Sequence, residues 1–180
     1  MKLENVKVGY QNKVVLENLN FEIEGVTCLV GENGKGKTTI LKTLAGLLEP
    51  LEGKIIDRPK VVSYCFQEDR LFKELTVLEN LKLVCQDETK IDNYLNKLTL
   101  KVYKNIKVKE LSGGCQRMTA LLRALVFDSE IVLLDEPFNG IDEENKKVLF
   151  EIIKKETRPI VLVTHKKEEI EAVNGKVVTI

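Results

Sequence analysis

Between residues 26 and 48 an apolar run, a glycine-rich turn and an amphipathic segment follow one another, and this stretch constrains the fold most. The run Val26 to Val30 is β-branched or apolar and predicts a strand. After the turn, apolar residues recur at helical spacing and predict a helix from Lys37 to about Leu48. The turn itself, GENGKGKT from Gly31 to Thr38, fits the pattern G-x-x-x-x-G-K-[ST], whose glycines let backbone N–H groups turn inward on an anion. A strand, this turn and a helix in that order predict a site for nucleotide phosphates.

Two side chains at the end of this turn have different chemistry. The ammonium group of Lys37 can lie over the β- and γ-phosphates as a point charge, and the hydroxyl of Thr38 can supply one oxygen ligand to Mg²⁺. The dipole of the following helix adds positive potential at the same place. We therefore expect Lys37 and Thr38 to contact a nucleotide and its metal.

Length and charge restrict the classes of protein that remain. A chain of 180 residues predicts one compact domain. Lys plus Arg equals Asp plus Glu, at 28 each, so no long-range field favours a nucleic acid as partner. No apolar run approaches about 18 residues and the N-terminus lacks a signal sequence, so we expect a chain that neither spans a membrane nor is exported. Reduced thiols in a cytosolic protein are expected from isolated cysteines, which are Cys28, Cys65, Cys85 and Cys115.

Two short strands precede the phosphate turn. They are LENVKVGY and VVLENLNFEI, separated by Gln11-Asn12-Lys13 and closed by Gly25, and they predict an antiparallel hairpin. Tyr10 ends the first strand and could stack on an adenine face. On propensity alone, a tyrosine on a half-exposed strand is an alternative of equal weight.

The run IVLLDEP, residues 131 to 137, is a continuous apolar strand that ends in two carboxylates. Such a strand is typical of a parallel sheet covered on both faces. Asp135 matches the acidic residue that holds Mg²⁺ beside a phosphate turn. Glu136 can take a proton from an attacking water, as a general base must lie within hydrogen-bond reach of the nucleophile.

Gln67 and His165 also follow predicted strands. In open α/β sheets, ligands bind beyond the carboxyl ends of the strands, so Gln67 could reach Mg²⁺ or a water. His165, the chain's one histidine, follows the strand Ile160 to Val163 at the same edge, which favours a catalytic role over the usual structural one.

A helical periodicity runs from Arg70 to Lys109 and predicts a small helical insertion with solvated charges. Beyond it, Ser112 precedes two glycines and a further helix, so this turn presents a hydroxyl and free N–H groups at a helix start. It is either a second anion-binding turn or an ordinary serine N-cap. We expect a single domain, residues 1–180, in which 1–67 and 115–180 form the core and 68–114 the insertion.

Taken in order, these residues resemble the ATP-binding cassette, the nucleotide-binding subunit of ABC transporters, over almost the whole chain. The matching motifs are Tyr10, the Walker A string GENGKGKT, the Q-loop Gln67, LTVLENL in the insertion, the signature LSGG from Leu111, the Walker B string IVLLDE, a D-loop ending at Asp142, and the switch histidine His165. LSGG separates this family from other P-loop proteins. Two departures follow it, Cys115 and Met118, where the family usually has glutamine and often arginine.

The resemblance implies an α/β P-loop NTPase fold with a mostly parallel core sheet, N-terminal antiparallel strands and a small α-helical insertion. It implies ATP and Mg²⁺ as cofactors, with Thr38, Gln67 and Asp135 on the metal. Catalysis would use Glu136 as the base and His165 on the γ-phosphate, with Lys37 and Gln67. ATP contacts would come from Tyr10, Gly31, Glu32, Asn33, Gly34, Lys35, Gly36, Lys37, Thr38, Thr39 and, over the ATP of an opposing subunit, Ser112, Gly113 and Gly114.

The function that the resemblance implies is ATP hydrolysis by a transporter subunit. It would pair with an identical or different cassette around two Mg-ATP and drive a separate membrane permease from the cytoplasmic face, without a nucleic acid partner. The alternatives are a soluble cassette without a membrane partner, another P-loop class such as a GTPase or kinase, and a non-catalytic regulatory cassette. Asn96-Lys97-Leu98-Thr99 lacks the aspartate of a guanine-reading N-K-x-D motif, and Glu136 with His165 argues against the regulatory alternative.

Overall fold

The computed structural model describes residues 1 to 11 and 13 to 180. This part of the chain forms one parallel sheet of five strands and one antiparallel sheet of three. The strands are β1 (Lys2–Tyr10), β2 (Lys13–Glu22), β3 (Val26–Val30), β4 (Glu52–Ile56), β5 (Val62–Cys65), β6 (Ile131–Asp135), β7 (Ile160–Val163) and β8 (Lys176–Thr179). The helices are α1 (Lys37–Leu44), α2 (Val77–Lys82), α3 (Glu88–Leu95), α4 (Gly113–Val126), α5 (Glu143–Lys154) and α6 (Lys167–Ala172). The predicted fold class is confirmed.

The parallel sheet has the strand order β5, β6, β7, β3, β8. All residues of β6 and β7 are buried, as their continuous apolar sequences predict. Because the five strands run in one direction, their carboxyl ends meet at one edge of the sheet. This edge receives the phosphate turn after β3, and the segments that carry Gln67, Glu136 and His165 after β5, β6 and β7.

Alternate residues of the central strands enter two different hydrophobic cores. Leu133 and Val161 pack in the core shared with α1 and the antiparallel sheet. Leu134 and Leu162 pack in the core shared with α4, α5 and the helices between β5 and α4. Side chains of a strand alternate between its faces, so each central strand supports both layers and holds the sheet edge rigidly between them.

The antiparallel sheet has the order β2, β1, β4. The predicted hairpin of β1 and β2 is present, with Lys2 opposite Glu22 at its open end. The predicted turn includes Asn12, which lies outside the described residues. On its other side β1 pairs with β4, so the strand after α1 joins the hairpin rather than the parallel sheet.

Helix α1 ends at Leu44, and the prediction that it continues to about Leu48 was wrong. Gly46 adopts a φ of +75°, which a glycine reaches without strain. The N–H of Gly46 donates to Thr43 O at 3.1 Å and that of Leu47 donates to Lys42 O at 2.9 Å. These bonds satisfy the last carbonyls of the helix and end it.

The segment between β5 and α4 is less helical than its periodicity predicted. It contains α2, α3 and two 3₁₀ helices, Thr99–Tyr103 and Val108–Glu110. The residues ahead of α2 form a loop, because the buried side chain of Asn80 accepts from Phe72 N and donates to Phe72 O, both at 3.0 Å. The assignment of 68–114 as an insertion remains a prediction. In the part of the chain that the structure describes, we find no helix with the length and apolar character needed to cross a membrane.

Candidate nucleotide-binding site

The phosphate turn joins β3 to α1 through glycines in the left-handed region. Gly34 has a φ of +81° and Gly36, the N-cap of α1, a φ of +100°. A Cβ atom on Gly36 would lie 2.5 Å from Val15 Cγ1, so the hairpin leaves no room for another residue there. Within the described residues no side chain caps α1, so its first N–H groups can serve an anion.

Lys37 is held inside this turn. Its side chain is buried, and Nζ donates to Gly31 O at 2.7 Å and to Glu32 O at 2.9 Å. An ammonium group has three N–H donors, so two fix its position and one remains for a phosphate. The turn therefore fixes the position of the charge.

Thr38 and Asp135 meet at the end of β6. The Thr38 hydroxyl donates to Asp135 Oδ2 at 2.8 Å, and the Tyr64 hydroxyl lies 3.4 Å from the same oxygen. Burial, followed by the charge of Glu136, raises the pKa of Asp135 above its ordinary value, although both hydroxyls oppose the rise. A hydroxyl and a carboxylate side by side offer the oxygen ligands that Mg²⁺ prefers, and a cation there would relieve the buried charge. These residues fit the expected metal.

Glu136 follows β6 in a strained backbone conformation. Its φ is +47°, its N–H donates to Val163 O at 3.0 Å, and its side chain is partly exposed. Asn139 Nδ2 donates to Glu136 Oε2 at 2.7 Å and leaves Oε1 available. A left-handed φ at a non-glycine residue costs on the order of 1–3 kcal/mol and is often found where a side chain is held for chemistry.

One cleft of about 450 Å³ brings most of the predicted residues together. Its lining comprises Asn33, Gly34, Gly36, Lys37, Thr38, Thr39, Gln67, Asp135, Glu136, Val163 and His165. Gly31, Glu32 and Lys35 belong to the same turn but do not line this cleft among the described residues. Four separate loops of the sheet edge thus converge on one space.

His165 is exposed in this cleft. The residue before it, Thr164, is held by hydrogen bonds to the segment that follows. Thr164 is buried, and its hydroxyl donates to Glu169 Oε2 at 2.5 Å and accepts from Lys166 N at 3.2 Å. Glu169 is buried as well, and its Oε1 lies 3.3 Å from Lys166 Nζ. Sequence reasoning missed Glu169, because it stands among exposed charged residues with no pattern to mark it as buried.

Tyr10 lies outside the residues that line the cleft in the described part of the chain. It is 43% exposed, its hydroxyl lies 3.5 Å from Lys42 Nζ, and the same nitrogen is 5.9 Å from its ring centroid. A half-exposed ring beside α1 is accessible to a base, so its adenine contact remains a prediction.

Ser112 caps α4, with its Oγ accepting from Cys115 N at 3.3 Å. Ser112 and Gly113 are exposed, and within the described residues neither they nor Gly114 line the cleft. The N-cap alternative is therefore present in the structure, and the anion contact remains a prediction. Met118 packs in the hydrophobic core with 1% exposure.

Arg117 was also missed by sequence reasoning. Its side chain is buried and donates to backbone oxygens on both sides of the cleft, including Gln67 O at 3.2 Å and Glu136 O at 3.1 Å. A signal existed, because Arg117 precedes Leu121 by one helical turn and so falls on the apolar face of α4. A cation at such a position predicts buried acceptors.

Known proteins have sequences related to that of this chain. The sequence model of the ABC transporter family matches residues 16–139. An uncharacterized ABC transporter ATP-binding protein of Methanocaldococcus jannaschii is 37% identical over 98% of this chain and 72% of its own. The aliphatic sulfonates import ATP-binding protein of Bacillus cereus is 35% identical over 91% of this chain and 72% of its own.

Two solved structures are similar to this fold. One is the ATP-binding protein of an ABC transporter from Pyrococcus furiosus. It has a TM-score of 0.81 at 30% identity, and the match covers 92% of this chain and 91% of that protein's chain. A dimeric ATP-binding cassette in a post-hydrolysis state bound to ADP and Pi has a TM-score of 0.79 at 25% identity. It covers 99% of this chain and 93% of its own.

Proposed function

The chain belongs to the ABC transporter family and is an ATPase, and from this premise we propose that it pairs with a second cassette around two Mg-ATP to drive a separate membrane permease. The observation that carries the proposal is that the phosphate turn and the Ser112 turn, the two predicted anion-binding turns, lie in different places. One turn is part of the cleft, and the exposed Ser112 turn is outside it. A two-fold pair would place the second turn of one chain over the ATP held by the other.

The phosphates of ATP are the part of the substrate that this chain is best built to bind. The third donor of Lys37 and the free N–H groups at the start of α1 converge on the cleft. Both are positioned by the turn, so little ordering is needed on binding. This supports the proposed contacts of residues 31–39 with the phosphates.

Magnesium would be held by Thr38, Gln67 and Asp135, which all line the cleft. When bound beside the phosphates it would supply charge neutralisation. In the described residues no group of three or more His, Cys, Asp or Glu side chains could hold a metal. This is the donor pattern of a metal carried largely by the substrate's own phosphates.

Hydrolysis needs a base that accepts a proton from water, and Glu136 fits this role. Asn139 fixes one carboxylate oxygen, so the other can accept a hydrogen bond from the attacking water. His165, which also lines the cleft, would donate to the γ-phosphate as charge develops there. Closure of a second chain would exclude bulk water and complete the site.

An exposed apolar groove supports a membrane partner. It has a volume of about 250 Å³ along β5 and is lined by Ala45, Leu47, Val62, Tyr64 and Phe66. Leu47 is 57% exposed, and Tyr64 reaches from this groove to Asp135 Oδ2 at 3.4 Å. An apolar segment of a permease seated there would contact a residue that touches the proposed metal ligand, which offers a route between transport and hydrolysis. Such a partner would hold the chain at the cytoplasmic face of the membrane.

The dimer is tested with Glu136→Gln. We expect this variant to bind ATP, to lose at least about 100-fold in turnover and to sediment as a dimer with Mg-ATP, because a closed pair persists without hydrolysis. Adding Ser112→Arg to it should abolish the dimer while the monomer still binds ATP. An ATP-bound monomer at all concentrations would overturn the proposed pairing, and normal turnover of Glu136→Gln would overturn the base.

The membrane partner is tested with Leu47→Glu in the groove and Val177→Glu on β8 as a matched control, since both residues are exposed and apolar. We expect wild type and Val177→Glu to be recovered with native membranes, and Leu47→Glu to be lost from them with unchanged basal ATPase activity. Recovery of all three in the soluble fraction would favour a cassette without a membrane partner.

A further inference from the structure

Arg117 is 4% exposed and bonds to two separate segments of the cleft. On the β5 side its Nη1 donates to Phe66 O at 2.6 Å, Gln67 O at 3.2 Å and Asp69 Oδ1 at 3.0 Å. The first two are backbone carbonyls of the segment that carries Gln67. The third is the carboxylate of an ion pair at the end of that segment.

On the β6 side the same side chain holds three consecutive carbonyls. Nη2 donates to Asp135 O at 2.7 Å and Glu136 O at 3.1 Å, and Nε donates to Pro137 O at 3.1 Å. A guanidinium group is planar and its donors form a rigid fork. The two segments are therefore held at a fixed separation by one residue.

The position of Arg117 in α4 also connects it to the Ser112 turn. This helix begins at Gly113, directly after Ser112, so Arg117 lies in its second turn. A rigid helix that shifts at its N-terminus moves Arg117 with it. Because buried carbonyls that lose a donor are costly, the bonded segments must follow.

We propose that Arg117 is a positioning residue that sets Gln67 and Glu136 for hydrolysis and transmits movement of the Ser112 turn to them. The positioning role requires only the ATPase activity of the family. The transmission role rests on the proposed function, in which the Ser112 turn closes on the ATP of another chain. In this way ATP bound to one chain would change the position of Glu136, the proposed base, in the other chain.

The structure supplies a matched pair of variants. Asp69 is the one side-chain acceptor of Arg117 among the described residues, and it can be changed without removing the guanidinium group. At the other end of α4, Arg158 donates to Leu125 O at 2.8 Å and Phe127 O at 2.6 Å and pairs with Glu156 at 2.6 Å. Arg158 is thus a second anchoring arginine of the same helix, remote from the cleft.

The experiment compares Asp69→Ala and Arg117→Lys with Glu156→Ala and Arg158→Lys. We expect Asp69→Ala to lower kcat by roughly 3- to 10-fold and Arg117→Lys by 10-fold or more, since small misplacement of reacting groups is costly. KM and the ATP affinity of the monomer should change less than about 2-fold, because the Lys37 turn is untouched. The two control variants, Glu156→Ala and Arg158→Lys, should lower the thermal stability and leave kcat unchanged.

Asp69→Asn retains an oxygen acceptor and should restore most of the lost kcat. If kcat instead falls in proportion to thermal stability in both pairs, Arg117 is a structural anchor only and the inference is wrong. The ATPase assignment would survive that result, because wild-type turnover is measured in the same assay. If Asp69→Ala weakens monomer binding and leaves kcat unchanged, Arg117 serves binding rather than hydrolysis, which also overturns the inference.

Discussion

Gly114, in the first turn of α4, packs directly against the backbone carbonyl of Gly140, in the loop that follows Glu136. The contact is so close that an added Cβ atom would overlap the carbonyl oxygen. Within one chain, the Ser112 turn therefore packs against the loop that carries Gly140. This approach within the chain is a reason for glycine at position 114 that does not depend on any nucleotide.

This relationship predicts different outcomes for two adjacent glycines. Gly114→Ala should lower the melting temperature by roughly 3–10 °C, because relief of the overlap needs a backbone shift costing about 1–3 kcal/mol. Gly113→Ala is the control, since a Cβ atom there meets no atom within 4 Å in the described structure. Alanine favours a helix over glycine, so its melting temperature should stay or rise. Differential scanning calorimetry without nucleotide makes the comparison, and equal melting temperatures would show that the loop yields freely.

The centre of the parallel sheet could be predicted because β3, β6 and β7 consist mainly of apolar or β-branched residues. The strand Ile160 to Val163 has the predicted limits, and Ser112 caps α4 as one alternative proposed. Helix α6 and strand β8 were not predicted, since they have only six and four residues, too few to show a clear periodicity. The loop before α2 was mistaken for helix because Asn80, which holds it, bonds across eight residues.

A second prediction concerns Lys37. Lys37→Met removes the ammonium group but keeps an unbranched side chain in the buried position. We expect ATP affinity to fall at least about 100-fold, because a charged hydrogen-bond donor to phosphate is lost in a partly buried site. Isothermal titration with Mg-ATP measures this. Lys35→Met is the control, since Lys35 is exposed in the same turn and pairs only with Glu32, at 3.5 Å, among the described residues. A wild-type affinity of Lys37→Met for Mg-ATP would remove Lys37 from the site.

The thiols provide a third prediction. Burial raises the pKa of Cys28 and that of Cys65 to about 11, and Cys85 is buried as well, whereas Cys115 is partly exposed beside the Ser112 turn. The thiolate is the reactive form, so iodoacetamide at pH 7.5 should modify Cys115 first. With Mg-ATP and Glu136→Gln, modification should slow at least several-fold as a second chain covers the turn. Mass spectrometry of the peptides, with Cys115→Ser as control, measures it. A rate independent of ATP would contradict closure over this turn.

Parts of the site could be predicted and parts could not, for a physical reason. Side chains proposed to contact the ligand, such as Lys37 and Glu136, lie in segments that follow the ends of strands, where sequence order fixes their place at one sheet edge. Their supports, such as Arg117 and Glu169, bond mainly to backbone atoms or to a neighbouring hydroxyl. A backbone carbonyl has no residue type, so the sequence contains no partner to match with these side chains.

The last prediction concerns acid stability and the partly buried pair of Glu156 and Arg158, whose side chains are 9% and 15% exposed. Although burial favours the neutral acid, the bonds to Arg158 outweigh it and lower the pKa of Glu156 below its ordinary 4.5. A carboxyl group with a lowered pKa in the folded state stabilises the fold when ionised. Its contribution is complete above pH 4.5 and is lost as the pH falls through the lowered pKa.

Glu156→Gln should therefore melt roughly 3–10 °C below wild type at pH 7, since a charged hydrogen bond is worth about 1.5–3 kcal/mol. The difference should shrink as the pH falls below about 4.5, because wild type then loses the same charge. Glu151→Gln is the control, because Glu151 is exposed and its pair with Lys154 should matter little at either pH. A melting difference for Glu156→Gln that stays constant from pH 7 to pH 3 would show that shape, and not charge, holds the end of α4.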